Sequence, residues 1–153
     1  MAHALNLFVP ILQDPDSLNL LATIKARFAT KDQVTIEKAA RESQIIHFLR
    51  VLILDDKYFI VLTEYDGGHP DYAEFFRVEL PDLFKDIFTL AHGPGAWGKL
   101  DSEKPFYEAS KILQKRSLGN SLYGETDPSG APEGYLFHAY GSRTVKQILA
   151  ELK

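Results

Sequence analysis

The chain has 153 residues, of which 45% are hydrophobic and 25% are charged, and its formal net charge is -4. This composition suits one domain with its own apolar core, so we expect residues 1–153 to form a single unit. Cysteine is absent, which excludes disulfides, thiolate nucleophiles and zinc-thiolate sites. Lysine and arginine are scattered singly, and no signal peptide or long apolar stretch is visible. We therefore expect a cytoplasmic protein that binds neither nucleic acid nor membrane.

The first third of the chain carries one strand signal followed by helix signals. Leu5 to Ile11 predicts a strand, and Asp14-Pro15-Asp16-Ser17 supplies the capping oxygens and first-turn proline that are typical of a helix start. Thr30 to Ser43 is polar and fits either a short helix or an irregular connection. The first helix presents an apolar stripe with three- and four-residue spacing, made of Leu18, Leu21, Ile24 and Phe28.

A β-hairpin is the clearest local prediction. Ile45 to Leu54 and Tyr58 to Tyr65 are rich in β-branched and aromatic residues, and Asp55-Asp56-Lys57 between them is a turn signal. Two amphipathic helices are predicted next, separated by Pro81. Their inward positions are Tyr72, Phe75, Phe76 and Leu80 in the first helix and Leu83, Phe84, Ile87 and Phe88 in the second.

Residues 93–133 are interpreted as an insertion. Ser102 to Ser117 has a helix-compatible composition, whereas Leu118 to Gly134 is rich in glycine and proline and predicts a mobile loop. Gly134 to Tyr140 predicts a last strand, and Ser142 or Thr144 can cap a terminal helix.

This order of elements predicts an α+β fold of the ferredoxin-like, split βαβ type. We expect a four-stranded antiparallel sheet with helices on one face, a helical insertion before the last strand and a C-terminal helix. The other face must then be solvated, covered by the insertion or buried against a second subunit.

The position of the candidate site depends on the hairpin register. A two-residue turn places Phe48 and Arg50 beside Thr63 and Tyr65 on the open face, where they would form a ligand pocket. A three-residue turn instead places Arg50 beside Leu62 and Glu64, which favours a structural ion pair. The sequence is compatible with both registers.

Three polar residues carry functional hypotheses alongside ordinary structural ones. Arg50 can bind an anionic or carbonyl-bearing ligand, or it can pair with a carboxylate or keep its head in solvent. His47 can pair with Glu64, or it can ligate a metal or haem. His138 on the last strand can share a cavity with Arg50 or face solvent.

Motifs for catalysis and cofactors are absent. The five histidines have no HExxH or short His-x-His spacing, so no metal site is predicted. There is also no GxSxG nucleophile elbow, GxGxxG fingerprint or Walker A loop. No cofactor is predicted from these patterns.

Some residues nevertheless resemble small, largely uncharacterised bacterial ferredoxin-like proteins related to the dimeric α/β-barrel superfamily. They are His47-Phe48-Leu49-Arg50, Tyr65-Asp66-Gly67, Asp71-Tyr72, Phe75, Ala139-Tyr140 and Arg143 to Ile148. That superfamily includes antibiotic-biosynthesis monooxygenases, chlorite dismutases and dye-decolorising peroxidases. The resemblance implies a homodimer, with ligands between sheet and helices or inside a barrel. Of the peroxidase GxxDG motif, this chain keeps only Asp66-Gly67, which argues against peroxidase activity.

Three functions remain as hypotheses, and whether the protein is an enzyme is undecided. The first is binding of a small polar or aromatic molecule at the sheet face by Arg50, Thr63 and Tyr65. The second is haem-assisted or cofactor-free oxidation of a small aromatic substrate, with His47 or His138 as base or iron ligand. The third is a structural or protein-interaction module whose open sheet face is buried in an assembly.

Overall fold

The structure is a computed structural model that describes residues 2–91, 97–114, 136–137 and 139–153. Its described part is an α+β fold whose antiparallel sheet has three strands in the order β1-β3-β2. The strands are β1 (Ala2–Pro10), β2 (Ile46–Leu54) and β3 (Tyr58–Asp66). The helices are α1 (Pro15–Arg27), α2 (Gln33–Ser43), α3 (His69–Glu79), α4 (Pro81–Leu90), α5 (Trp97–Leu100), α6 (Glu103–Leu113) and α7 (Val145–Glu151).

The first helix begins as its capping signals predict. Asp14 is the N-cap residue, and its Oδ2 accepts a hydrogen bond of 3.0 Å from the backbone N–H of Ser17. A π-helical turn at Phe28–Asp32 then joins α1 to α2. The polar segment from Thr30 to Ser43 is therefore helical rather than irregular, and it ends where Gln44 takes a left-handed φ of 53°.

The hairpin is confirmed, with a three-residue connection. Leu54 pairs with Tyr58, and the intervening Asp55 and Asp56 both have positive φ, at 52° and 54°. Aspartate tolerates the left-handed region better than most residues, which explains how this turn forms without glycine. Arg50 consequently pairs with Leu62, and Leu49 pairs with Thr63.

This register divides the sheet into a covered face and an open face. The covered face packs with the helices in one hydrophobic core and includes Leu5, Leu7, Val9, Leu49, Val51, Phe59, Val61, Thr63 and Tyr65. The open face carries the alternate residues, including Asn6, Phe8, Phe48, Arg50, Leu52, Leu54, Tyr58, Leu62 and Glu64. In the described part of the chain, Phe48 on this face is 63% exposed and Leu54 is 50% exposed.

The predicted fourth strand is not seen in the described residues. Leu136 and Phe137 are not in a strand, and residues 139–142 form a turn in which Gly141 has a φ of 67°. A left-handed residue directly after Tyr140 reverses the chain, which an extended strand cannot do. Residues 134, 135 and 138 lie outside the described residues, as does most of the loop predicted for Leu118 to Gly134.

The other predicted helices are present. Pro81 starts α4 afresh after α3, because Leu80 between them leaves the helical region at φ -129° and ψ 45°. The helix predicted within the insertion appears as α6, and a capping box at Thr144 begins α7.

Candidate functional site

The structure does not bring the four main candidate residues to one face. Phe48 and Arg50 lie on the open face, whereas Thr63 and Tyr65 are fully buried on the covered face. The prediction that they share a pocket is wrong because the hairpin connection has three residues rather than two.

Thr63 and Tyr65 are instead part of the packed core. The Thr63 hydroxyl donates to the carbonyl oxygen of Phe48 at 2.9 Å and lies 2.6 Å from the Tyr72 hydroxyl. Since one hydroxyl donates only one proton, Tyr72 must be the donor in the second bond. Tyr65 stacks on Tyr72 with ring centroids 3.9 Å apart, and burial raises the pKa of Tyr72. These contacts give both residues a structural role.

Arg50 and Glu64 lie near each other on the open face without forming an ion pair. Within the described residues, the guanidinium of Arg50 acts on Glu64 only through its charge. Loss of hydration raises the pKa of Glu64, and the charges of His47 and Arg50 partly oppose this shift. Arg50 is exposed, so its guanidinium can be solvated, which is one of the alternatives that the sequence left open.

His47 occupies an irregular position that the sequence did not reveal. The register of the β2·β3 ladder shifts between Ile46 and Phe48, which leaves His47 out of the normal alternation. Its side chain is only 2% exposed, and its Nε2 lies 3.1 Å from Asp66 Oδ1. Its Nδ1 lies 2.9 Å from the Tyr140 hydroxyl. His47 therefore pairs with Asp66 rather than with the predicted Glu64.

The same network fixes the last helix. The other carboxylate oxygen of Asp66, Oδ2, accepts a 2.7 Å hydrogen bond from the backbone N–H of Val145. Desolvation and the charges of Glu64 and Asp66 raise the pKa of Tyr140, which keeps its hydroxyl protonated. The consistent arrangement has Tyr140 donating to His47 Nδ1 while His47 Nε2–H donates to Asp66. These hydrogen bonds join the start of β2 and the end of β3 to the start of α7.

A mainly apolar cavity of about 550 Å³ lies beside this network, between α2, the edge strand β2 and α7. An adjoining lobe of about 250 Å³ shares five of its lining residues and extends to Tyr140. We call the two together the β2-edge cleft, and we call the smaller one its inner lobe. The lining consists of Phe28, Gln33, Ile36, Glu37, Ala40, Arg41, Ile46, His47, Phe48, Leu49, Val51, Tyr140, Val145, Ile148 and Leu149.

A second, polar cavity of about 230 Å³ lies between the π-helical turn and α4. Arg27 crosses it, with ion-pair distances of 2.8 Å to Asp32 and 2.6 Å to Asp86. These ion pairs join α1 to the π-helical turn and to α4, while Arg27 Nη2 is buried without a hydrogen-bond partner among the described residues. We assign this cavity a structural role.

The metal or haem hypothesis concerns His47 and His138. Both ring nitrogens of His47 are engaged in hydrogen bonds, so iron ligation would require one of them to break. Residues 2–91, 97–114, 136–137 and 139–153 contain no group of three or more potential metal ligands. His138, the other candidate, lies outside the described residues.

Scans against protein-family models, curated proteins and solved structures each find no match to this chain. The resemblance to the dimeric α/β-barrel superfamily therefore stays a prediction. Across the described residues, every helix falls short of the length and apolar character that a bilayer span requires.

Sequence reasoning missed the partnership of His47, Asp66 and Tyr140. Asp66 ends the hairpin and was visible as part of Tyr65-Asp66-Gly67, but Tyr140 follows His47 by 93 residues. The one local signal was the Thr144-x-x-Gln147 pattern, which marks the start of α7 and so places Tyr140 close before a helix.

Proposed function

We propose that this protein binds a small, mainly apolar molecule in the β2-edge cleft. The observation that carries this proposal is the cavity of about 550 Å³ lined chiefly by aliphatic side chains. Its volume lies within the range of about 300–1,000 Å³ that is usual for small-molecule sites. Its inner lobe ends at the His47-Tyr140 hydrogen bond, which supplies polar groups at one end of an otherwise apolar space.

The energetics favour an apolar occupant. Leu49 and Val51 of β2 and Leu149 of α7 all line the cleft while remaining partly accessible. A ligand that covers such surface gains roughly 25 cal/mol for each Å² of apolar area removed from water. Arg50 does not line the cleft, so the proposed ligand does not depend on it.

Nile red, a neutral dye that fluoresces in apolar surroundings, tests the proposal. We expect saturable binding to the parent protein and loss of that binding in Ala40→Trp, because the indole would fill the cleft from α2. Ala22→Trp, at an exposed position of α1 away from the cleft, is the matched control and should bind dye normally. Equal binding by both variants, with unchanged circular dichroism, would contradict the proposal.

We also propose that the complete sheet is of the ferredoxin-like, split βαβ type. The support is the order β1-β3-β2, in which β3 separates two strands that α1 and α2 connect. A fourth strand in this arrangement would pair with the edge of β1 opposite β3, where Leu7 forms an isolated antiparallel bridge with Gln114.

A second candidate function is self-association through the open face of the sheet, with a second copy of the chain as partner. The observation in its favour is a patch that combines apolar side chains with both charge signs. Leu52, Leu54 and Tyr58 are exposed in the described structure, and Arg50 and Glu64 lie beside them without a mutual ion pair. In a two-fold interface the same patch meets itself, so Arg50 of each copy can face Glu64 of the other.

Sedimentation velocity at micromolar concentration tests self-association. We expect the parent protein to sediment as a dimer and Leu52→Asp to sediment as a monomer, because the new carboxylate would be buried without a partner. Val34→Asp alters another exposed apolar residue, 63% accessible on α2, and should leave the dimer intact. A monomeric parent protein would overturn this candidate function.

A further inference from the structure

We propose that the β2-edge cleft selects ligands whose polar group is uncharged or cationic, such as an alcohol, a carbonyl compound or an amine, and rejects carboxylates and phosphates. This inference rests on the proposed binding function and adds the chemical class of the ligand. By contrast, an anionic ligand was one of the possibilities that Arg50 suggested in the sequence.

The inner lobe has no basic side chain available for an anion. Among the described residues it is lined by Ile46, His47, Phe48, Tyr140, Val145, Ile148 and Leu149, with neither lysine nor arginine. The imidazole of His47 is 2% exposed and is committed to Asp66 and Tyr140. An anionic group placed in this lobe would lose hydration without meeting a compensating positive charge.

The groups around the lobe are negative on balance. Asp66 and Glu64 both act on Tyr140, and their charges help to raise its pKa. These two carboxylates are the charges that act on Tyr140, and Arg50, which partly offsets the charge of Glu64, does not line the lobe. A potential that disfavours the phenolate of Tyr140 also disfavours the anion of a ligand at the same place.

Three of the four backbone donors at residues 144–147 are already used. The N–H of Val145 donates to Asp66, and the N–H of Gln147 donates to the Thr144 hydroxyl at 3.3 Å. Thr144 N–H donates in turn to the Gln147 side chain at 2.8 Å. Among these four amides, only that of Lys146 is left to bind an oxyanion.

Two arginines near the cleft are neutralised by ion pairs, and Lys146 of α7 is exposed and does not line the cleft. Arg41, at the α2 side of the larger cavity, forms an exposed ion pair of 2.8 Å with Glu37. Arg143, just before α7, pairs with Glu151 at 3.1 Å. A hydroxyl or carbonyl group needs no counter-charge, and a hydroxyl can exchange hydrogen bonds with a phenol such as Tyr140.

Three probes with the same eight-carbon chain test the selectivity: 1-octanol, octanoate and octylamine, each competing with Nile red at pH 7. We expect octanol and octylamine to displace the dye, and octanoate to be at least about tenfold weaker because of the negative surroundings. Glu64→Gln removes one of those charges without altering a residue that lines the cleft. It should strengthen octanoate binding severalfold and leave octanol unchanged.

The outcomes separate the inference from the function beneath it. If the parent protein does not bind Nile red, or if Ala40→Trp does not abolish that binding, the proposed function itself is overturned. If that dye site exists but octanoate binds as well as octanol, or if none of the three probes competes, the selectivity is refuted while binding stands. Octanoate that stays weak in Glu64→Gln would contradict the electrostatic cause assigned here.

Discussion

Two parts of the covered sheet face are filled in different ways. Beneath α3, α4 and α6, phenylalanine rings pack against one another, with ring centroids 4.9 Å apart for Phe76 and Phe84 and 5.3 Å apart for Phe88 and Phe106. At the β2 edge, α2 presents Ala40 and α7 has no buried residue at all. The same sheet therefore supports a solid core on one side and a cleft on the other.

The comparison shows how side-chain volume determines where space remains. Aromatic rings bury large areas and interdigitate, so the α3-α4-α6 side needs no further occupant. The β2 edge combines small and aliphatic side chains with a short terminal helix. That helix is held through hydrogen bonds from Asp66 and its own capping box rather than through burial.

The largest difference between the two parts should appear in a pair of truncations. Phe84→Ala removes a fully buried ring and should cost about 3–5 kcal/mol of unfolding free energy. Leu149→Ala, in α7 and 39% exposed, should cost less than about 1 kcal/mol. Urea denaturation measures both, and equal costs would show that the β2 edge is as tightly packed as the aromatic core.

A smaller loss of unfolding free energy is expected at the buried hydrogen bond between Thr63 and Tyr72. Thr63→Val leaves the buried Tyr72 hydroxyl without its acceptor and should cost about 1–3 kcal/mol. Tyr72→Phe removes that hydroxyl and should cost about 1 kcal/mol, leaving Thr63 bonded to the carbonyl of Phe48. A larger cost for Tyr72→Phe would contradict the assigned direction of the hydrogen bond.

The pKa of Tyr72 adds a pH dependence to the same pair. Because burial raises this pKa above its ordinary value of 10.0, the folded protein holds the phenol proton more tightly than the unfolded chain. Its contribution to stability is thus fully present below pH 10 and is lost as the pH rises above it. Tyr72→Phe should flatten the alkaline fall in unfolding free energy, and an identical fall in both proteins would refute the assignment.

At the β2 edge, Asp66→Ala should loosen α7 while the core stays intact. The variant removes the acceptor of the Val145 N–H and the partner of His47 Nε2, at a cost of about 1–2 kcal/mol. Hydrogen exchange should become faster in α7, with β1 and α4 unchanged. Exposed Asp71→Ala in α3 serves as the control and should leave the exchange of α7 as it is.

The smallest expected effect concerns Glu64. Its pKa is raised chiefly by loss of hydration, so its ionisation works against folding. Glu64→Gln should therefore be slightly more stable than the parent at pH 7, and the advantage should disappear as the pH falls below 4.5, the ordinary pKa of a glutamate. A variant that is less stable at pH 7 would show that the charge of Glu64 is needed, for example by Arg50.

Most elements could be predicted from sequence because their signals are local. The capping oxygens at Asp14 and the alternation in the hairpin each act within a few residues. The register could not be predicted, because it depends on Asp55 and Asp56 both adopting left-handed backbone conformations. Because the connection has three residues rather than two, Arg50 lies on the face opposite Thr63 and Tyr65.

The candidate site was harder to predict than the fold for a related reason. The cleft is produced by elements distant in sequence, and its polar end joins His47 to Tyr140 across 93 positions. Helical periodicity identifies the side of a helix that turns inward but not whether its neighbours fill the space. Apolar residues recur at three- and four-residue spacing in both α4 and α7, although only α4 has buried residues.

Methyl NMR of the parent protein titrated with 1-octanol tests the central claim most directly. We expect shift changes at the methyl groups of Ile46, Leu49, Val51, Val145 and Leu149, with Leu52 and Leu54 on the open face unaffected. Shifts confined to the open face, or the same cleft shifts in Ala40→Trp, would contradict it.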